Sequence, residues 1–457
     1  MATNLKLIAE AYENCNPEES LELGDPRWVN LDANGVRGDP PCTEFLQGPI
    51  ELSDERKQIA RLLFSGFRGS GKSTLLKRLK QRLENERFEV LYVDAEKYLN
   101  LNMPVEPYEI LLSIAGEMDI NYPLKNRTKR LWQRFHKFCT QEVEVKGMEI
   151  GIPKVGSIQT ELKANPDFRR ELKNLLERRQ KQSAVIKQTH DFIHETIAHL
   201  ATIKPESKGL VVILDQLEHL RGSVSKDNVE VRESIIRLFN EYTDALMLPC
   251  HAIYTVPPWL RFTTAFANIC GKFKDDALIL PMCRVWDQEK NEPCLEGIDA
   301  LVGMVGKRVN LTKIFGSNNP ASVREMAKLS GGYPRDLLRL LRGVILRIHM
   351  GKDKLPLSEE KQSEYMEREV GELAEQYGTA LFSEDIDKLA QIAETNDIPT
   401  ESTSPEKLAD WLENHFIICY QNHRSWYDVH PLLKEKSLRY RKLVSSSGKL
   451  NGQPFAE

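Results

Sequence analysis

Apolar residues along the chain fall into short unbroken runs separated by stretches of helical spacing, the pattern of an α/β protein with a parallel sheet. Leu62–Phe64 is the first such run, followed by Leu75, Leu76, Leu79 and Leu83 at helical intervals. Phe88–Asp94 reads as a second strand, adjacent to the first in the sheet, with a helix over Tyr108–Met118 behind it. Leu210–Leu214 is wholly apolar and rich in β-branched residues, as a strand covered on both faces requires. Ala252–Pro257 and Asp276–Asp287 supply two more strands.

The stretch between the second strand and Leu210 is too long for a compact core and predicts an insertion. Within it, Arg127–Cys139 is basic and aromatic, and Glu142–Ile152 alternates around Lys146-Gly147 as a hairpin does. Asn165-Pro166-Asp167 is a helix start, and apolar or small positions then recur at 4-3-4-3 spacing to Leu200. A continuous helix of ~35 residues would span ~50 Å. Its seam turns polar at Arg179 and Gln182, which predicts a bend or a solvent crossing.

Downstream, Gly331-Gly332-Tyr333-Pro334 is a tight turn, and Leu337, Leu338, Leu341, Val344, Ile345 and Ile348 follow at helical spacing. Lys352–Glu375 is polar and charged, a linker or an extension of the preceding helices. Glu384–Glu394 and Pro405–Phe416 read as helices, and Ile417–Tyr420 with Trp426–Val429 as a hairpin, an order similar to a winged helix. The predicted organisation is an N-terminal segment (1–44), a core (45–290) carrying an inserted helical and hairpin arm at about 120–205, a helical lid (291–355), a winged-helix-like domain (356–444) and a flexible tail (445–457).

Composition narrows the class. With 457 residues, 41% hydrophobic and 28% charged, the chain has enough apolar surface for real cores, which excludes wholesale disorder. The net charge of −4 gives no global field for nucleic acid. Locally, residues 123–187 hold sixteen Lys and Arg against seven acids, a net +9, suited to nucleic acid or an acidic protein, or else to a solvated surface compensated elsewhere. The would-be recognition helix, Pro405–Phe416, carries Glu406, Asp410 and Glu413 against Lys407, which disfavours direct reading of DNA. Eight scattered cysteines without a C-x-x-C pair point to reduced thiols. No secretory leader or membrane-spanning run is evident, so a cytoplasmic protein without membrane contact is expected. His190 and His194 stand four apart with His199 beyond, but without other ligands they read as a solvated helix face rather than a metal site.

One segment carries most of the chemistry. Gly66-Phe67-Arg68-Gly69-Ser70-Gly71-Lys72-Ser73, followed by Thr74, satisfies G-x-x-x-x-G-K-[ST] between a predicted strand and a predicted helix. Glycines let successive N–H groups turn towards phosphate oxygens, and the helix start adds its positive end. Lys72 would reach the β- and γ-phosphates, while the Ser73 hydroxyl would ligate Mg²⁺. A metal also needs an acid at a neighbouring strand end. Asp94 is one candidate. Asp215 is the better one, because Glu218 three residues on suits a base for the attacking water. Thr255, at the exit of its strand, is placed to sense the γ-phosphate.

In this order, the motifs resemble those of P-loop ATPases of the AAA+/STAND group, over roughly residues 45–350. The resemblance implies a helical lid closing on nucleotide, with Pro334 near the base and Arg335 at the γ-phosphate. The wording LLFSGFRGSGKSTLLKRL is also similar to that of bacterial ATPases encoded beside defence or mobile-element genes. No arginine finger is assignable, although Arg261 and Arg284 follow the later strands. The expected function is an ATP- and Mg²⁺-dependent switch, hydrolysing ATP and controlling a homo-oligomer or a partner protein. Two alternatives stand beside it: an ATPase engaged on nucleic acid, such as a loader or transposition regulator, and a nucleotide-dependent scaffold with little turnover.

Overall fold

The computed structural model describes residues 2–122, 163, 169–170, 173–174, 182–220, 225–274, 277–379, 381–434 and 437. In chain order the principal elements are α1 (Ala2–Asn14), α2 (Cys42–Glu55), β1 (Arg61–Gly66), α3 (Lys72–Asn85), β2 (Phe88–Asp94), α4 (Ala95–Tyr98), α5 (Pro107–Asn121), α6 (Gln182–Ile203), β3 (Gly209–Asp215), α7 (Ser225–Asn240), β4 (His251–Val256), α8 (Phe266–Phe273) and β5 (Leu278–Leu280). There follow α9 (Leu295–Gly306), α10 (Leu311–Phe315), α11 (Ala321–Leu329), α12 (Pro334–Gly351), α13 (Glu359–Gly378), α14 (Ser383–Thr395), α15 (Pro405–Glu413), β6 (Ile417–Gln421) and β7 (Ser425–Val429). Two compact units form: Met1–Cys42 with Gly66–Thr74 and Leu280–Glu457, and Thr43–Ser65 with Leu75–Ile279.

The second unit is built on the sheet, whose strand order is β2-β3-β4-β1-β5. The β2–β3, β3–β4 and β4–β1 pairs are all parallel. Leu210–Leu214 and every residue of β4 are buried, so these central strands are covered on both faces, as their apolar composition demands. Helix α3 lays Leu75, Leu76, Leu79 and Leu83 into this unit, each 8% exposed or less. Helix α5 packs on β2 and α6, and α6 packs on β3. The buried Arg169 guanidinium donates to the Glu109 carboxylate on α5, and Lys173 pairs with Glu106 at 2.6 Å. The sheet, the loop glycines and the flanking helices constitute an α/β P-loop NTPase fold.

In the first unit, α1 packs on α12, α12 on α13, and α11 on α9 and α13. The Asp336 carboxylate of α12 is fully buried, with Tyr377 Oη donating to it at 2.7 Å and His430 Nε2 lying 3.3 Å away. Burial works to raise its pKa, and His430, Tyr377 and Arg339 together outweigh that, leaving Asp336 below the ordinary carboxylate value.

Three expectations change, and one open reading resolves to a helix. Strand β2 does not adjoin β1; it pairs with β3 at the sheet edge, because β3 and β4 fill the two positions between β1 and β2. Within the run 276–287 the main sheet takes only Leu278–Leu280, since Pro281 has no N–H to continue a ladder, and Trp286–Asp287 pairs separately with Glu292–Pro293. The polar stretch after Lys352 is largely the twenty-residue helix α13, anchored by buried Gln362, Tyr365 and Leu373. Helix α15 stops at Glu413 rather than Phe416, because His415 takes a left-handed φ of 61°. The expected basic segment 127–139, the hairpin 142–152, much of the first half of the long helix and the tail 445–457 lie outside the described residues. No helix among the described residues is long and apolar enough to cross a membrane.

Leu79→Ala should test the packing of α3. Removing a fully buried leucine should lower unfolding stability by about 2–5 kcal/mol in urea titration.

Candidate functional site

The glycine-rich loop leaves β1 at Gly66 and enters α3 at Lys72. Gly69 and Gly71 have φ of 79° and 97°, conformations that side chains disfavour. A Cβ on Gly69 would lie 2.5 Å from Arg335 Nε and 2.7 Å from Tyr333 Oη, so the loop also needs glycine there for space. Lys72 is 3% exposed, and its Nζ donates to the carbonyls of Gly66 at 2.9 Å and Phe67 at 2.8 Å. Ser70 is wholly buried, and its Oγ has no hydrogen-bond partner among the described residues. Ser73 and Thr74 are half-buried at the start of α3.

Other residues of the first unit surround this loop. Tyr333 Oη donates to the Arg68 carbonyl at 2.5 Å, and His415 Nε2 lies 3.1 Å from the same oxygen. A carbonyl only accepts, so that contact requires the proton on Nε2. The Tyr333 and His415 rings stack at 4.7 Å, and Phe67 lies 5.9 Å from the imidazole. Burial pushes His415 down to about 3, so it stays neutral near pH 7, and burial pushes the Tyr333 phenol up. Arg37 Nη2 donates to the Ser70 carbonyl at 2.7 Å. Arg335 Nη2 pairs with the exposed Glu18 at 2.8 Å, while its buried Nε has no partner among the described residues. Pro334 is buried at the first position of α12, preorganising the turn that carries Tyr333 and Arg335.

The second unit holds the acids and Thr255. Asp215 ends β3 fully buried, its Oδ2 accepting from the Tyr92 phenol and its Oδ1 from Gln216 N–H at 2.8 Å. Register sets Asp94 opposite Asp215, but Asp94 caps α4, accepting from Glu96 N–H at 2.9 Å, and burial raises its pKa. Gln216 takes a left-handed φ of 71°, turning the chain sharply into the short turn Leu217–His219. The Thr255 hydroxyl, also fully buried, accepts from Leu217 N–H at 3.0 Å and so ties β4 to that turn. The Glu218 side chain is 3% exposed, 3.8 Å from His219 Nε2, and His219 Nδ1 meets Glu96 at 2.6 Å.

Each predicted loop residue is thus grouped with Arg335 and Pro334 in one unit, and Asp215, Glu218 and Thr255 are grouped in the other. Arg284 is not poised as a finger, since its guanidinium donates to Gly35 O at 2.7 Å and to Asn422 Oδ1 at 3.0 Å. Arg261 is half-buried in the turn after β4. His190 contacts Ala245 O at 3.3 Å, and no metal-ligating cluster occurs among the described residues. Sequence reasoning missed Arg37 and His415. A lone arginine in a loop and a histidine after a helix carry no local signal of a partner so distant in the chain.

The glycines with positive φ, the buried Lys72 and the Ser70 hydroxyl fit a polyphosphate.

No protein-family model matches the chain, nor does any curated protein sequence. Among solved structures, it is similar to the Aeropyrum pernix ORC2 protein in its ADP form, at 14% identity over 89% of this chain and 92% of that one, with a TM-score of 0.40. The Aeropyrum pernix ORC1 protein in complex with DNA gives 13% identity, 92% and 98% coverage and a TM-score of 0.35. The RuvB Holliday junction branch migration motor of Thermotoga maritima gives 12%, 87% and 93%, and 0.35. Likeness at this level says nothing of substrate or partner, which the residues of the site itself must specify.

Proposed function

We propose that the protein is an ATP-binding and ATP-hydrolysing switch of the AAA+ kind. The observation that carries this reading is the complete phosphate loop, with its two glycines in left-handed conformations and Lys72 buried inside it. Gly66–Thr74 holds the triphosphate, with Lys72 on the β- and γ-phosphates. Ser73 and Asp215 would hold Mg²⁺, which when bound neutralises phosphate charge. Glu218 orients and deprotonates the attacking water. Thr255 fixes the Leu217–His219 turn and through it the position of Glu218. Arg335 and Pro334 form the lid's part of the nucleotide site.

The switch reading draws on Tyr333 at the head of α12 and His415 between α15 and β6, which bond to the loop backbone. Tyr333 and His415 share the Arg68 carbonyl, so a change of loop conformation alters what the C-terminal elements can hold. Control of a homo-oligomer or of an effector protein is the output that fits such a device. An ATPase engaged on nucleic acid is the second reading, supported by the +9 segment 123–187 and opposed by the acidic α15. Stimulation of turnover by DNA that fades with added salt favours the second reading, and binding without turnover favours a scaffold.

Three substitutions test the assignments. Lys72→Ala should abolish ATP binding in isothermal titration, and undiminished affinity contradicts the site. Glu218→Gln should keep ATP bound while slowing phosphate release by about 10²–10⁴-fold. Thr255→Val leaves the Leu217 N–H without its acceptor. It should cost about 1–3 kcal/mol in denaturant unfolding and depress turnover with ATP affinity retained.

A further inference from the structure

We propose that Arg37, in the segment that precedes the sheet, is a positioning residue for polyphosphate: by gripping the Ser70 carbonyl it aims the Gly71 N–H into the phosphate cradle. This rests on the nucleotide reading above and adds a residue to it.

The argument starts from the peptide unit. In a trans peptide the C=O and the following N–H point to opposite sides, so whatever fixes one fixes the other. Arg37 Nη2 holds Ser70 O at 2.7 Å, which turns the Gly71 N–H the opposite way. The same relation recurs two residues earlier, where Tyr333 and His415 hold Arg68 O and thereby turn the Gly69 N–H. The loop's left-handed glycines lie immediately after these two gripped carbonyls. The orientation of these two peptides is therefore set by side-chain donors from outside the loop.

Arg37 is itself built into place. It is 4% exposed, and its Nε meets Cys283 Sγ at 3.5 Å. Its neighbours are pinned to one residue, with Arg284 N–H donating to Val36 O at 2.9 Å and Arg284 Nη2 to Gly35 O at 2.7 Å. Among the described residues its contacts include no carboxylate. A buried guanidinium whose hydrogen-bond partners are a carbonyl and a thiol can still favour an anion placed near it. The buried Ser70 Oγ, likewise without a partner among the described residues, sits in the residue whose carbonyl Arg37 holds. A phosphate oxygen would satisfy both, accepting from the Ser70 hydroxyl and lying near the guanidinium, and neither feature involves a nucleobase.

The test uses the full chain and two ligands in Mg²⁺, ATP and inorganic tripolyphosphate, with isothermal titration of wild type, Arg37→Met and Arg37→Lys. Arg37→Met should weaken both ligands by the same factor, about 10- to 100-fold, the range of a hydrogen bond to a charged group. Arg37→Lys, which keeps the charge, should recover part of that loss for both. Should Arg37→Met not fold, the smaller, proportionate loss in Arg37→Lys carries the same comparison. Loss confined to ATP would make Arg37 a reader of the base and overturn the proposal, as would unchanged affinity for both ligands. A wild-type chain that binds neither overturns the nucleotide reading itself, an outcome distinct from a failure of the variants.

Discussion

A loop that offers its N–H groups to phosphate must also place the carbonyl oxygens of the same peptides. In this protein that constraint is met by Lys72 within the loop and by donors from distant parts of the chain: Arg37 before the sheet, Tyr333 at the head of α12 and His415 after α15. Charged and aromatic side chains hold the backbone in a shape that glycine permits but does not enforce. The phosphate loop therefore belongs to the same compact unit as these donors.

A different device serves the acids. Asp215 lies at the end of a strand buried on both faces, and both of its oxygens accept hydrogen bonds. The left-handed Gln216 and the Thr255 hydroxyl then fix the turn that carries Glu218. The strain of a non-glycine residue at positive φ is sustained by the hydrogen bond to Leu217 N–H. A threonine that sequence alone assigns to sensing phosphate is here also a structural acceptor.

Local chemistry was the most legible part of the sequence. Leu62–Phe64, the glycine loop and the leucines of α3 each announce themselves within a few residues, as do the buried run Leu210–Leu214 and the turn before Pro334. Long-range placement was not legible. The position of β2 depends on β3 and β4, which follow it by more than a hundred residues, so no pattern within Phe88–Asp94 reveals its neighbour. Arg37 and His415 look like ordinary surface residues until the fold brings them to Ser70 and Arg68. The end of α15 was misplaced because apolar Phe416 continues the helical period, whereas His415 leaves helical conformation just before it.

The most direct test is a crystal structure of the chain with Mg²⁺ and a non-hydrolysable ATP analogue. The account predicts the β-phosphate within hydrogen-bond distance of the Gly69 and Gly71 N–H groups and of Lys72 Nζ, with the metal at Ser73 and Asp215. An analogue bound elsewhere, or bound with those N–H groups turned away from it, contradicts it.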